Sequence, residues 1–351
     1  MLPLDVPLTP DPEYISFLTE CRGSLASVHF SLYDPTIVDA RQRLEHHGLK
    51  DVIAGLKALE GTPRYALMNT RLHAPDTYFS PHALRSTAEA LSHLAGETGI
   101  TGIIFADPYH LQALSDAHPE VAASLEAIPS INSMLDSAGR CFSMLSMIRT
   151  THFLPPSRII LDRSLNRDLE HLGRISERLK GAYPDIQLQL IANEGCLPFC
   201  PYKPAHDAHI AMINENLCRD RTFAMNHYFG CIRRFITDPS LILASPFIRP
   251  EDAARYAGMV ESLKICGRNK GTPFLKQTIS AYLDGRFTGN LLLLLDAVGD
   301  LADQIVVENT RFPDDFLHRV SDCLKDCDAC RHCSAIAKKV VTRVTPMLQT
   351  L

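Results

Sequence analysis

Eleven cysteines, and the way they are bunched, are the first feature of this sequence with chemistry in it. Cys323, Cys327, Cys330 and Cys333 fall in one short run, spaced C-x3-C-x2-C-x2-C. Four sulfurs this close are poorly explained by packing, and thiolates are soft donors for zinc or iron–sulfur centres. Both a tetrahedral zinc and a ferredoxin-like cluster fit the spacing, and the adjacent Arg331-His332 pair would offset thiolate charge. A looser group begins with Cys196 and Cys200 in NEGCLPFCPY, residues 193–202, where one Gly and two Pro can turn both thiols onto one ion or cluster. Cys218 and Cys231 follow. Structural zinc favours paired knuckles, so this uneven spacing suits a cluster gathered from separate loops. The competing reading makes Cys218 and Cys231 buried apolar fillers. Cys21, Cys141 and Cys266 stand alone and read as buried thiols.

The elements that must position these groups alternate. Short apolar runs at 27–32, 64–69, 101–107, 128–132, 158–162, 186–192, 241–245 and 262–266 read as strands, most of them bounded by Gly, Pro, Asp or Asn. Amphipathic stretches between them, such as 39–59, 82–94 and 166–179, read as helices, and Pro250 opens another. Eight such units predict an α/β fold, a (β/α)8 TIM barrel with a Cys-rich C-terminal extension. The alternative is an open doubly wound sheet, although no G-x-G-x-x-G follows an early strand. The expected division is a lead-in over 1–20, the barrel over 21–290 and a helical extension over 291–351. A barrel places its chemistry where strands end, which singles out Asn69, Asp107, Asn132, Asp162, Asn193, Glu194 and Lys264 to Arg268. Each of these reads equally as a turn or helix cap.

Composition narrows the setting. The chain has 351 residues, 46% of them hydrophobic and 21% charged, a net charge of −5 and no Trp. That is a globular composition, without the global basic field of a long nucleic-acid track. Arg219, Arg221, Arg233 and Arg234, with Tyr228 and Phe229 between them, form a local basic and aromatic group that could grip single-stranded bases or could simply be a solvated helix face. The first residues lack the pattern of a secretory signal, and no apolar run reaches the roughly 18–20 residues of a membrane span. Bunched cysteines without a signal predict a reducing cytoplasm.

Residues 191–206, IANEGCLPFCPYKPAH, resemble the signature loop of the collagenase-like peptidase family U32. The resemblance runs on through SPFIRPED at 245–252, LKICGR at 263–268 and AYLDGRFTGNL at 281–291, and covers roughly 20–335 in order. The loop departs from the usual signature: Asn193-Glu194-Gly195-Cys196 stands where a His-Gly pair is expected, and Cys200 follows sooner. The resemblance implies a 4Fe–4S cluster held by four cysteines at the barrel mouth, which carry over here to Cys196, Cys200, Cys218 and Cys231. It further implies oxygen-independent hydroxylation of a small molecule or RNA base, with a prephenate-like anion as oxygen donor.

Three functions compete. In an iron–sulfur enzyme or accessory factor, Asn193, Arg249, Lys264 and Arg268 would bind a small anionic donor or substrate, and Glu194 and His206 would carry protons. The other reading of Lys264 and Arg268 is ion pairing with barrel acids. A peptidase is the second function, but neither H-E-x-x-H nor G-x-S-x-G is present, and a Cys200–His206 pair is the nearest substitute. The third is an electron-transfer or docking protein that uses the tail thiols, with a redox or homologous partner protein. The tail would hold a second iron–sulfur cluster or zinc.

Overall fold

The computed structural model describes residues 1–32 and 48–344. Eight parallel strands form one sheet: β1 (Leu4–Pro7), β2 (Leu25–Ser31), β3 (Arg64–Met68), β4 (Gly102–Phe105), β5 (Glu126–Pro129), β6 (Arg158–Ile160), β7 (Gln187–Ile191) and β8 (Ser262–Lys264). Their order is β5-β4-β3-β2-β1-β8-β7-β6, so β1 joins β8 and the sheet curls into a barrel. The seam lies between β5 and β6. Leu154, just ahead of β6, bridges Glu126 in parallel, its N–H donating to the Leu125 carbonyl at 2.9 Å. Gly102 permits close approach on the other side of β5, since a Cβ there would lie 2.4 Å from the Glu126 carbonyl oxygen.

The strands are short, apolar and buried on both faces, as a helix-covered parallel sheet requires. Successive side chains alternate. Ala66, Ile103, Phe105, Ala127 and Ile159 face the helical layer, whereas Tyr65, Leu67, Ile104, Ile128, Ile160 and Ile191 form a separate core inside the barrel. The rest of the interior is polar. Asp5, His29 and Lys264 meet there, and Arg158 donates to the Ser27 hydroxyl at 2.7 Å and lies over the Tyr65 ring.

Three sequence expectations are corrected. Residues 1–20 are not a lead-in, because they carry β1, which a proline on either side of Leu4-Asp5-Val6 disguises. Residues 241–245 are not a strand: Ser240–Ala244 is a short helix, opened by Asp238 accepting from the Ser240 N–H at 3.0 Å. A five-residue apolar run carries no period long enough to separate the two. The extension beyond 290 is not purely helical. It pairs β9 (Ile305–Val307) with β10 (Val341–Arg343) in antiparallel register, and its Leu291, Leu292, Leu294 and Phe316 join the main core. The start of the helix expected over 39–59 falls partly outside the described residues, and Leu49–Ala58 is helical.

Candidate functional site at the barrel mouth

A cleft opens at the C-terminal ends of the strands. Its wall includes Asn69 and Arg71 after β3, Asn132 after β5, Arg163 after β6, Glu194 and Cys196 after β7, and Arg268 after β8. The helix Lys203–Asn214 closes one side with Lys203, His206 and Asp207. Four cationic side chains, Arg71, Arg163, Lys203 and Arg268, therefore face two carboxylates, Glu194 and Asp207.

The contacts are specific. Arg71 and Lys203 both donate to Asp207 Oδ2, the lysine at 2.8 Å. Burial would raise the Asp207 carboxyl, but the two cations hold it below its ordinary value. Arg163 pairs with Glu194 Oε1, and the Cys196 thiol donates to that same oxygen at 3.2 Å. Burial, then the Glu194 charge, pushes the Cys196 thiol well above its ordinary value. Burial opposes the charge on Arg163, and Glu194 and Cys196 more than offset it, so the guanidinium is held above its ordinary value. Asn69 Oδ1 accepts from Ser130 and, at 3.1 Å, from Asn132.

The cysteine loop is built against the extension. Gly195 packs so tightly on Val298 that a Cβ would fall 2.6 Å from Val298 Cγ2. Cys196, Cys200 and Cys231 lie within electrostatic reach in series, and burial, with Cys200 beside it, raises the Cys231 thiol. Cys218 sits elsewhere, its Sγ 3.7 Å from His209 Nδ1. His209 Nε2 accepts from the Arg221 N–H, which leaves the ring proton on Nδ1 facing the sulfur. Among the described residues, no three His, Cys, Asp or Glu side chains are arranged to hold a metal ion. None of the eleven cysteines is in a disulfide; Cys141 is buried, and Cys21 and Cys266 are half-buried.

The tail thiols do gather. Cys323, Cys327, Cys330 and Cys333 line one hollow with Lys325 and His332. Burial pushes the Cys333 thiol up to about 11, with Arg167 pulling the other way and the other three thiols adding to the rise.

Glu194, His206 and Arg268 line the cleft. Three proposed substrate groups have other work. Asn193 is fully buried, donates to the carbonyls of Cys266 and Leu294 at 3.0 and 3.1 Å, and accepts from the Cys266 N–H at 2.7 Å. With both amide protons spent and no exposed surface, it stitches β7, β8 and the extension together and does not line the cleft. Arg249 makes a two-point ion pair with Asp252 at 2.8 and 3.0 Å and stacks over Phe312, away from the cleft. Lys264 pairs with Asp5 at 2.6 Å inside the barrel. Asp107 and Asp162 cap the segments that follow them. Sequence reasoning missed Arg71, Arg163, Lys203 and Asp207. The last two are legible as an i,i+4 pair on a Pro-initiated helix. The two arginines lie only one or two residues beyond the strand-end positions singled out. Also missed was a network flanking the cleft, in which His73 Nδ1 bonds Glu215 at 2.6 Å and its ring lies 4.3 Å from that of His110.

The geometry defines a parallel (β/α)8 barrel protein with a cysteine-bearing, cation-rich mouth. No family model matches the chain. An uncharacterized protease of Methanocaldococcus jannaschii is 34% identical over 186 residues, 52% of this chain and 53% of that protein, so the match spans about half the length of this curated relative. A solved U32 peptidase is 14% identical with a TM-score of 0.48, covering 76% of this chain and 92% of that one. An intracellular xylanase from Thermoanaerobacterium saccharolyticum is 9% identical with a TM-score of 0.35, covering 61% and 80%.

Proposed function

We propose that the chain is an iron–sulfur protein that acts on a small anionic molecule at the barrel mouth, in an oxygen-independent hydroxylation or related modification. The observation that carries this reading is the placing of Cys196 and Cys200 in the wall of a cleft where four cations face two carboxylates. A net positive cleft selects anions, and arginine pairs with carboxylate at two points. The donors are of the right kind for the cluster: Cys196, Cys200 and Cys231 are soft ligands with Cys200 in electrostatic reach of the other two, and Cys218, the fourth in chain order, stands apart beside His209. When bound, a 4Fe–4S cluster would supply one-electron chemistry and a Lewis-acidic iron.

The chain's own residues do the rest. Arg268 and the Lys203–Arg71 pair attract and orient the anion. Arg163 holds Glu194 in place beside the loop, and Glu194 and His206 take or give the proton. Anaerobically purified protein should contain iron and acid-labile sulfide, and Cys196→Ser/Cys200→Ser should lose about four irons. Protein in which that variant keeps the full iron content overturns the reading.

The names of the protease relative and of the U32 peptidase structure favour a second reading, peptide hydrolysis. A nucleophilic cysteine needs a lowered pKa and a base. Cys196 has a carboxylate for its neighbour, which keeps the thiol protonated. Cleavage of a peptide library that is abolished by Cys200→Ala in metal-free protein would establish this reading instead.

A further inference from the structure

We propose that the four tail thiols hold a metal centre of their own, a tetrathiolate site whose negative charge is met by Arg167 and Lys325. The site is separate from the cysteine loop of the mouth and does not depend on how that loop is read.

The argument begins with a guanidinium. Arg167 is 3% exposed, its Nε donates to the Ser245 carbonyl at 3.1 Å, and its plane lies over the rings of Phe247 and Phe316. Its two terminal nitrogens are buried and have no hydrogen-bond partner among the described residues. Buried charged donors in that state are costly, and their presence asks for an acceptor. Cys333 is within electrostatic reach of Arg167 and of Cys323, Cys327 and Cys330. A thiolate-bound metal would supply that acceptor as N–H···S bonds.

Local structure converges on the same hollow. Lys325 adopts a left-handed φ of 62° and places its Nζ 3.3 Å from the Cys323 sulfur, while donating to the Arg167 and Val320 carbonyls at 2.5 and 2.6 Å. Asp326 caps the turn Cys327–Cys330. Arg331, at φ 50°, reverses the chain so that the helix His332–Val340 returns Cys333 to the other thiols. His332 Nε2 is a further buried, unpartnered polar atom at this site. Asp238 and Asp326 also line the hollow, so nearby charge is not all positive.

Charge balance favours the site. Four thiolates around a divalent zinc, or around an oxidised 4Fe–4S core, leave about two negative charges. Around the hollow, Arg167, Arg319, Lys325 and Arg331 outnumber Asp238 and Asp326 by two positive charges. Zinc and cluster share this chemistry, and metal analysis separates them.

The test uses full-length protein purified without oxygen, with zinc, iron and acid-labile sulfide measured in the wild type, Cys327→Ser/Cys330→Ser and Cys196→Ser/Cys200→Ser. The tail variant should lose one whole centre, as zinc alone or as iron with sulfide, while the mouth variant keeps it. Lys325→Met should give up this metal to a chelator several times faster than the wild type. A tail variant with the same metal content as the wild type overturns the proposal. Native alkylation gives a readout that needs no folded variant. Cys327 and Cys330 are exposed, yet they should resist iodoacetamide until a chelator is added; reactivity that the chelator does not change also overturns the site.

Discussion

A lysine at the end of a barrel strand reads equally well as a grip on substrate or as half of an ion pair, and Asp5 decides for Lys264. The aspartate sits in the stretch of sequence that reads least like a strand, so its partnership was out of view until β1 joined β8. Lys264→Met would leave Asp5 buried without its cation, a loss expected to cost about 3–5 kcal/mol in chemical denaturation. His29 makes this cluster sensitive to pH. Its Nδ1 lies 2.8 Å from both Asp5 and Lys264, and burial lowers the imidazole to about 4. Burial would raise the Asp5 carboxyl, but His29 and Lys264 bring it far below its ordinary value. Both groups bind more protons in the unfolded chain, so stability rises with pH through their window. The His29 contribution is present above about 6.5 and is lost as pH falls through about 4. Denaturation midpoints should fall across that window, and His29→Phe should flatten the slope. Some slope will remain, because His110, lowered to about 3 by burial and then by His73, acts with the same sign. Asn193 and Arg249 teach a related lesson. Their types and strand-end positions are those of binding residues, and only the carbonyls and Asp252 around them show that they are engaged inside the fold, away from the cleft.

At the scale of elements, seven of the eight barrel strands and their alternation with helices were legible because buried parallel strands are short apolar runs with clear punctuation. The errors fall where local sequence carries little information. The run 241–245 is too short to show a period, and β1 owes its extended form to pairing with β2 and β8. The position of the cysteine loop at the barrel mouth was legible, but not what holds it in place. Gly195 touches Val298 of the extension, and Ser245 ties to the loop by donating to the Gly195 carbonyl at 3.2 Å. Gly195→Ala should therefore destabilise the fold by about 1–3 kcal/mol, since a fully buried β-branched neighbour has little room to move. Val298→Ala in the same chain should recover much of that loss. A pair of substitutions that behaves additively would mean that loop and extension are not in contact.

Across the whole molecule, charge is unevenly distributed. A chain of net charge −5 nevertheless presents a mouth where cations outnumber carboxylates. Past the cysteine loop, Phe223, Tyr228 and Phe229 are exposed, with Arg219, Arg221, Arg233 and Arg234 around them in sequence. If this surface grips single-stranded RNA, the complex should weaken steeply with salt, and Arg233→Glu/Arg234→Glu should abolish a gel shift of tRNA. A shift that survives both tests would place RNA elsewhere. Among the described residues, no helix is long and apolar enough to cross a membrane. The five-residue turn Arg163–Arg167 lies between the two cysteine groups. It carries an arginine at each end, roughly 8 Å apart along the chain, one on Glu194 beside Cys196 and the other beside Cys333. Three residues of backbone are all that part the guanidinium on Glu194 from the one beside Cys333, so a substitution within this turn touches the surroundings of both cysteine groups at once.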